Sequence, residues 1–366
     1  MVMPAATLSL IETRCALCGG GDSAPEATGR DFEYDTAAND FRFVRCRRCG
    51  HVYLNPRPRS ADLGVIYPPN YYAYGGASNP IVAPLRRRWE RGKVRLYREL
   101  VGEGPRRILD VGCGDGRFLE ILRASGAPEW RLEGVEIDAR AAAACEAKGF
   151  RARVGRVEEL RDEEGFDAVV MLQLIEHVED PVAICRRVFE LLRPGGHFIV
   201  ETPNLDGLDY RAFRGRCWGH YHFPRHWNLF STESLHRMLR EQGFEIVRTE
   251  YLISTSAWTI SLHNYFLDRG WPDWFVRFFH FQNPLLLSLF VALDALRARA
   301  GGATSNQRVV ARKPDASRPA RSEAEPSGDR TGSGTSRGRA KPAESSVSPE
   351  GRSAAVESSS TASRPA

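Results

Sequence analysis

The sequence predicts an α/β protein: a doubly wound sheet, with a small cysteine-rich ribbon ahead of it and a tail without regular structure behind it. Three observations carry that expectation. A buried apolar strand, Ile108 to Val111, runs into the glycine turn Gly112-Cys113-Gly114-Asp115-Gly116, and a helix with Phe118, Leu119 and Leu122 on one face follows. Apolar strand runs then alternate with helical patterns as far as residue 313. Two tight cysteine pairs, Cys15-Ala-Leu-Cys18 and Cys46-Arg-Arg-Cys49, precede all of this.

The chain has 366 residues, enough for one α/β domain with appendages, and a hydrophobic content of 42% supports a full core. The net charge of +5 is spread over arginine-rich helices and the tail. No basic cluster is interleaved with aromatics, so no nucleic-acid partner is expected. The first fourteen residues lack the charged-then-apolar pattern of a secretory signal, and a cytoplasmic location is the expectation.

Residues 1–60 read as the ribbon. Each CxxC can set two thiolates around one tetrahedral ion, and a segment with so little core of its own would draw folding free energy from the metal. Cys15, Cys18, Cys46 and Cys49 are therefore expected to hold a structural Zn2+, with no open position for catalysis. Arg14, Arg45, Arg47 and Arg48 would offset the thiolate charge, and His51 reads as a surface or packing residue. Residues 61–100 follow as a connector and helix. Its prolines argue for extended chain, and Tyr71 and Tyr72 are candidate substrate contacts; packing against the helix over 84–100 is the alternative.

In the glycine turn, alternate glycines permit positive φ and remove Cβ atoms from a ligand's path, while the next helix aims its free amides at the ligand. A dinucleotide turn needs a third glycine where Arg117 stands. Strand two, Arg131 to Ile137, ends in Glu136, placed where an acid holds a ribose diol. A helix over 139–148 and a third strand over 150–154 come next. The fourth strand, Phe166 to Leu172, carries a continuous apolar run after Asp167, as a strand covered on both faces should. It enters Gln173-Leu-Ile-Glu-His-Val-Glu-Asp-Pro181, then an amphipathic helix, the turn Leu192-Arg-Pro-Gly-Gly196 and a fifth strand, His197 to Glu201.

Four features in order (the glycine turn preceded by Leu109, Asp110 and Val111, the acid Glu136, Ile-Glu-His-Val-x-Asp-Pro at 175–181, and Leu-Arg-Pro-Gly-Gly at 192–196) resemble the motifs of class I S-adenosylmethionine methyltransferases. The third of these is similar to that of the ubiquinone-type O-methyltransferases. The cysteine ribbon and the pattern His226-x-x-x-Phe-Ser231 resemble the zinc-ribbon sugar C-methyltransferases. The resemblance covers residues 100–251 and 306–313 for the domain, and 15–75 for ribbon and connector. It implies a Rossmann-like, seven-stranded sheet within 101–313, its last strand (Gln307 to Lys313) inserted antiparallel beside the sixth. It implies S-adenosyl-L-methionine as cofactor, bound by Asp110, Gly112, Gly114, Gly116, Glu136, Val157 and Gln173. The family's acid after strand three is absent from Gly155-Arg156-Val157-Glu158, which leaves the adenine to backbone amides or Val157. Gln173 stands beside the sulfonium, where some relatives have a metal-gathering glutamate. Glu176, a candidate substrate contact, and His177 lie at the pocket mouth; catalysis and loop support are both open for His177.

Residues 202–230 form a polar-aromatic loop that should fold over the transferring methyl. Its His226, and after it His222, are the candidate general bases, since an imidazole can accept a proton at neutral pH. Zinc ligation by His220, His222 and His226 fits less well, because their spacing is loose. The insertion 253–302 carries an apolar run too short to span a bilayer. A helical cover, on the sheet or in a dimer interface, is expected there, with peripheral membrane or lipid contact as the alternative. Residues 314–366 lack periodicity and read as disordered. The expected function is methyl transfer to a small-molecule, sugar or lipid-linked acceptor. The alternatives are O-methylation of a lipid or quinone-like phenol at the membrane, and a non-catalytic cofactor-binding module in an envelope or glycan assembly.

Overall fold

A computed structural model describes residues 5–68, 92, 94–254, 256–280 and 283–315. Tyr71, Tyr72 and the tail from residue 316 lie outside the described residues.

Two sheets organise the described chain. In the larger, strands β4 (Arg107–Val111), β5 (Arg131–Glu136), β6 (Arg151–Val154), β7 (Phe166–Leu172), β8 (Leu192–Pro203), β10 (Glu245–Leu252) and β11 (Asn306–Arg312) stand in the order β10-β11-β8-β7-β4-β5-β6. Strand β11 is antiparallel to both β10 and β8, and the pairs among β4 to β8 are parallel. This is the seven-stranded, doubly wound order expected, including the inserted last strand. Helices α1 (Arg117–Ser125), α2 (Ala139–Ala147), α3 (Pro181–Leu191) and α5 (Thr232–Glu241) belong to this domain, and the short α4 (Leu208–Phe213) lies in the 202–230 loop. Leu109, Val169, Met171, Val188, Phe198 and Leu235 meet in its core, none more than 1% exposed.

The fifth strand is longer than the sequence suggests. The Leu192-to-Gly196 segment does not stand outside the sheet as a turn, because Gly195 N–H donates to the Lys313 carbonyl and Lys313 N–H to that of Gly196. These two bonds extend β8 back to Leu192, with an irregular register opposite Phe166 and Ala168. Ser231 caps α5, its Oγ accepting from Ser234 N–H at 3.2 Å.

The smaller sheet holds β1 (Ser23–Gly29), β2 (Phe41–Cys46), β3 (Val52–Leu54) and β9 (Asn228–Leu229), all antiparallel, in that order. Its last strand comes from the 202–230 loop. Phe41, Phe43 and Leu54 of the ribbon therefore share one apolar cluster with Trp218, Tyr221 and Trp227 of the loop. His51 lies inside this seam with no exposed surface, bonded to Asn228 Oδ1 at 3.0 Å, as packing and not as surface. Burial pushes its imidazole down to about 4.

The 253–302 insertion covers the loop. Helix α6 (Ala257–Asp268) receives the Gly219 N–H on Ser261 Oγ at 2.8 Å and sets Trp258 and Tyr265 against Phe213. Helix α7 (Pro284–Arg299) packs in turn on α6, stacking Phe290 on Trp258 at 5.4 Å.

Candidate active site

The carboxyl ends of β4, β5, β7 and β8 meet along one edge of the larger sheet, and the candidate residues gather there. After β4 the chain turns through Gly112, Gly114 and Gly116 at φ of 74°, 54° and 80°, a left-handed run that side chains would strain. A Cβ on Gly112 would lie 2.7 Å from Leu174 Cδ2, so the turn is pressed against the segment leaving β7. Gly114 N–H donates to Glu136 Oε2 at 2.9 Å, and Asp138 N–H donates to Oε1 at 3.0 Å. Glu136 is thus fixed with lone pairs left on both oxygens, as a diol-binding acid requires.

Asp110, on the neighbouring strand, is buried, and its carboxyl is pushed up to about 8 by burial and then by the charge of Glu136. A cationic, ribose-bearing ligand fits these two acids: its positive charge would restore the ionisation that burial opposes, while Glu136 takes the hydroxyls. Val157 packs in the main core. The exposed apolar atoms at this rim belong to Ile137 and Val154, 54% and 60% exposed, which sequence reasoning passed over. Gln173 is exposed at the end of β7, with a left-handed φ of 52° and its N–H on the Glu201 carbonyl at 2.8 Å.

Opposite the turn, three side chains converge from two segments. Glu176, His177 and His226 each direct one ligand atom into a group whose members lie within 4.8 Å of one another. Glu176 has no exposed surface. Thr202 Oγ1 donates to its Oε2 at 2.9 Å, and its Oε1 has no hydrogen-bond partner. Burial pushes this carboxyl up to about 8, against the pull of its own backbone amide and Thr202. His226 Nδ1 lies 2.7 Å from the His220 carbonyl. A carbonyl can only accept, so Nδ1 carries the proton and Nε2 the lone pair. His177 Nδ1 lies 3.1 Å from the Arg225 carbonyl, which favours the same tautomer, and 2.7 Å from Tyr67 Oη, a hydroxyl that can accept from the same N–H. The two rings stand edge to face with centroids 4.5 Å apart. Burial first, and then neighbouring histidines, hold His226 well below its ordinary value and His177 at about 3, so both are neutral at pH 7.

His222 completes the cluster, with its ring 5.0 Å from that of His226 and its Nδ1 2.7 Å from Glu33 Oε1. Its backbone is left-handed at φ 41°, a conformation that costs a non-glycine residue about 1–2 kcal/mol. Sequence reasoning missed Glu33, which carries no local signal, and passed over Tyr67 in favour of the tyrosines after it.

Cys15, Cys18, Cys46 and Cys49 form a second convergence, in the ribbon. Sγ atoms lie 3.5 Å apart in the pairs Cys15–Cys49 and Cys18–Cys46. Four sulfurs about 2.3 Å from a zinc ion stand roughly 3.8 Å apart, so little adjustment is needed. Burial pushes the Cys15 thiol up against the pull of the Cys18 and Leu17 backbone amides, whereas at Cys46 burial is outweighed by hydrogen bonds, among them those from the Cys49 and Arg48 amides, which hold the thiol down. Of the arginines expected to balance charge, Arg45 instead binds Glu26 at 2.8 Å.

Residues 84–249 match a family model described as a methyltransferase domain. A ubiquinone biosynthesis O-methyltransferase of Alkalilimnicola ehrlichii is 36% identical over 119 residues, which is 30% of this chain and 47% of that protein. One from Ralstonia nicotianae is 30% identical over 137 residues, 35% of this chain and 53% of that protein. The chain thus spans about half the length of these relatives. Among solved structures, a SAM dependent methyltransferase from Archaeoglobus fulgidus aligns with 64% of this chain and 98% of that one, at 21% identity and a TM-score of 0.42.

Proposed function

We propose that this chain, a class I methyltransferase by the family model that its residues 84–249 match and by the strand order of its sheet, methylates a small-molecule or sugar-bearing acceptor with His226 as general base. One observation carries the reading. The Glu136-braced glycine turn and a neutral imidazole with its lone pair on Nε2 lie at the same sheet edge.

When bound, S-adenosylmethionine supplies an electrophilic methyl on a sulfonium. The protein's part is to hold and to move protons. Glu136 and the glycine turn would fix the ribose, and Asp110 would meet positive charge. The segment Gln173 to His177 and the 202–230 loop would exclude water and align the acceptor, where positioning alone contributes about 7–11 kcal/mol. His226 Nε2 would take the acceptor proton, worth on the order of 10²–10⁴ in rate. His222, held by Glu33, is the second candidate. His177 reads as the support of His226. In the ribbon, Cys15, Cys18, Cys46 and Cys49 would hold a structural zinc.

The test is transfer of labelled methyl from S-adenosylmethionine to a panel of sugar nucleotides, glycolipids and phenols. His226→Ala should keep cofactor affinity and lose about 10²–10⁴ in kcat. Near-wild-type turnover at saturating acceptor would sink the base assignment.

The spacing of Glu176, His177 and His226 favours a second reading of that trio, as a site for a divalent ion that polarises a phenolic or enolic acceptor oxygen. Both imidazoles have Nδ1 on a backbone carbonyl, the arrangement that prepares Nε2 for a metal. Turnover unaffected by a chelator that leaves the ribbon zinc in place would reject it.

A further inference from the structure

Helix α7 presents apolar side chains on both of its faces. The inner face is accounted for: Phe290 stacks on Trp258, and buried Asp294 accepts from Trp258 Nε1 at 3.2 Å and from Ser254 N–H at 3.2 Å. The outer face is not. Leu285, Leu289 and Leu296 are 74%, 60% and 67% exposed, and Leu293 is exposed beside them. At about 100° per residue these four leucines fall within an arc of roughly 80°, nearly opposite Asp294. A surface helix normally turns polar residues outward, so this stripe calls for a cover. The turn ahead of the helix adds Trp271, Trp274 and Phe278, all exposed, Trp274 by 75%.

Charge narrows the choice of cover. Between residues 269 and 299 the exposed acid is Asp273, against Arg269, Arg277 and Arg299 exposed and Arg297 half-buried. A second copy seated on the stripe would bring the same arginines against a single exposed carboxylate, Asp273. An anionic surface matches the excess of exposed arginine. Helix α7 alone rises only about 24 Å over its sixteen residues, and among the described residues no single helix is long and apolar enough to cross a membrane; joined to Asp273–Phe279 it reaches that length only across a 45° bend.

We propose that the outer face of α7 and the aromatic turn before it form a docking surface for an anionic lipid bilayer. The leucines enter the acyl boundary, the tryptophans sit at headgroup level and the arginines meet lipid phosphates. Helix α6 lies between α7 and the 202–230 loop, so docking would bring the loop that carries His222 and His226 close to the membrane. The contact stands whether or not the chain transfers methyl groups.

The test is flotation of the full chain with vesicles of phosphatidylcholine containing phosphatidylglycerol, and with vesicles of phosphatidylcholine alone. Wild type should float with the anionic vesicles and release in high salt. Leu289→Glu with Leu293→Glu should weaken binding about tenfold or more, and so should Trp274→Ser, which touches no buried contact. Arg277→Gln with Arg299→Gln should remove the preference for anionic lipid. Unchanged far-ultraviolet dichroism keeps these variants interpretable. Absence of flotation, or equal flotation of the leucine variant, would overturn the proposal. A dimer in light scattering that Leu289→Glu splits, without flotation of wild type, would assign the face to a second copy instead.

Discussion

Arg225 grips Asp31 with both terminal nitrogens, at 3.0 and 2.9 Å, and neither side chain has exposed surface. Asp31 follows β1 in the ribbon and Arg225 precedes His226 in the loop, so one ion pair joins the two. The backbone takes part as well, since the Arg225 carbonyl is the one facing His177 Nδ1. Asp31 also accepts from Thr36 N–H and Oγ1 on Oδ2 and from Tyr34 N–H on Oδ1, which satisfies the remaining lone pairs. The ribbon therefore sets the position of the candidate base from a distance.

Breaking such a pair leaves a buried charge without its partner. Arg225→Met should cost about 3–5 kcal/mol in urea unfolding, and Arg225→Met with Asp31→Leu should recover most of it. Burial raises the Asp31 carboxyl, but Arg225 outweighs burial and the net displacement is downward. The pair's contribution is then complete above the unfolded value of about 3.9 and is lost as pH falls through the lower folded value. In Arg225→Met that acid-side loss should vanish. An unchanged acid limb would show that the pair is not what titrates there.

The same seam would couple a metal held by the ribbon cysteines to the proposed site. Cys18→Ser should lower zinc content per chain, measured by a colorimetric chelator after mercurial release. It should cost at least about 3 kcal/mol, roughly 4 °C or more in Tm at this chain length. Because β3 pairs with β9 and Arg237 Nη2 donates to the Cys49 carbonyl at 2.7 Å, turnover should fall with stability. Full activity in a zinc-free variant would separate the ribbon from the site.

The centre of the larger sheet was readable because β7 and the far half of β8 carry unbroken apolar runs and a glycine turn follows β4 at the ligand edge. Local pattern carries that information. The seam between ribbon and loop was not readable, since β9 is two residues long and pairs with a strand more than 170 positions earlier. Glu33 and Tyr67 reach the histidines by the same long-range closure, and no short-range spacing announces it. Helix α7 shows another limit: an apolar run reads the same whether its far face meets protein or nothing. The Leu192-to-Gly196 segment misled for a different reason. Its proline and two glycines signal a turn, but pairing with Lys313 draws it into the sheet.

Asp110 supplies the last prediction. In the folded chain its carboxyl stands at about 8, raised by burial and then by Glu136, against about 3.9 unfolded. Between those values the folded state holds a proton that the unfolded state does not. Stability without cofactor should therefore fall as pH rises from about 4 through about 8, by at most about 1.4 kcal/mol per unit from this group. Asp110→Asn should flatten that slope. The cofactor carries positive charge, so its binding should ionise Asp110, release up to about one proton at pH 7 and tighten as pH rises toward 8. Titration calorimetry at pH 7 in two buffers of different ionisation enthalpy measures that proton. Release of the same size in Asp110→Asn would place the titrating group elsewhere, with Glu176 the next to examine.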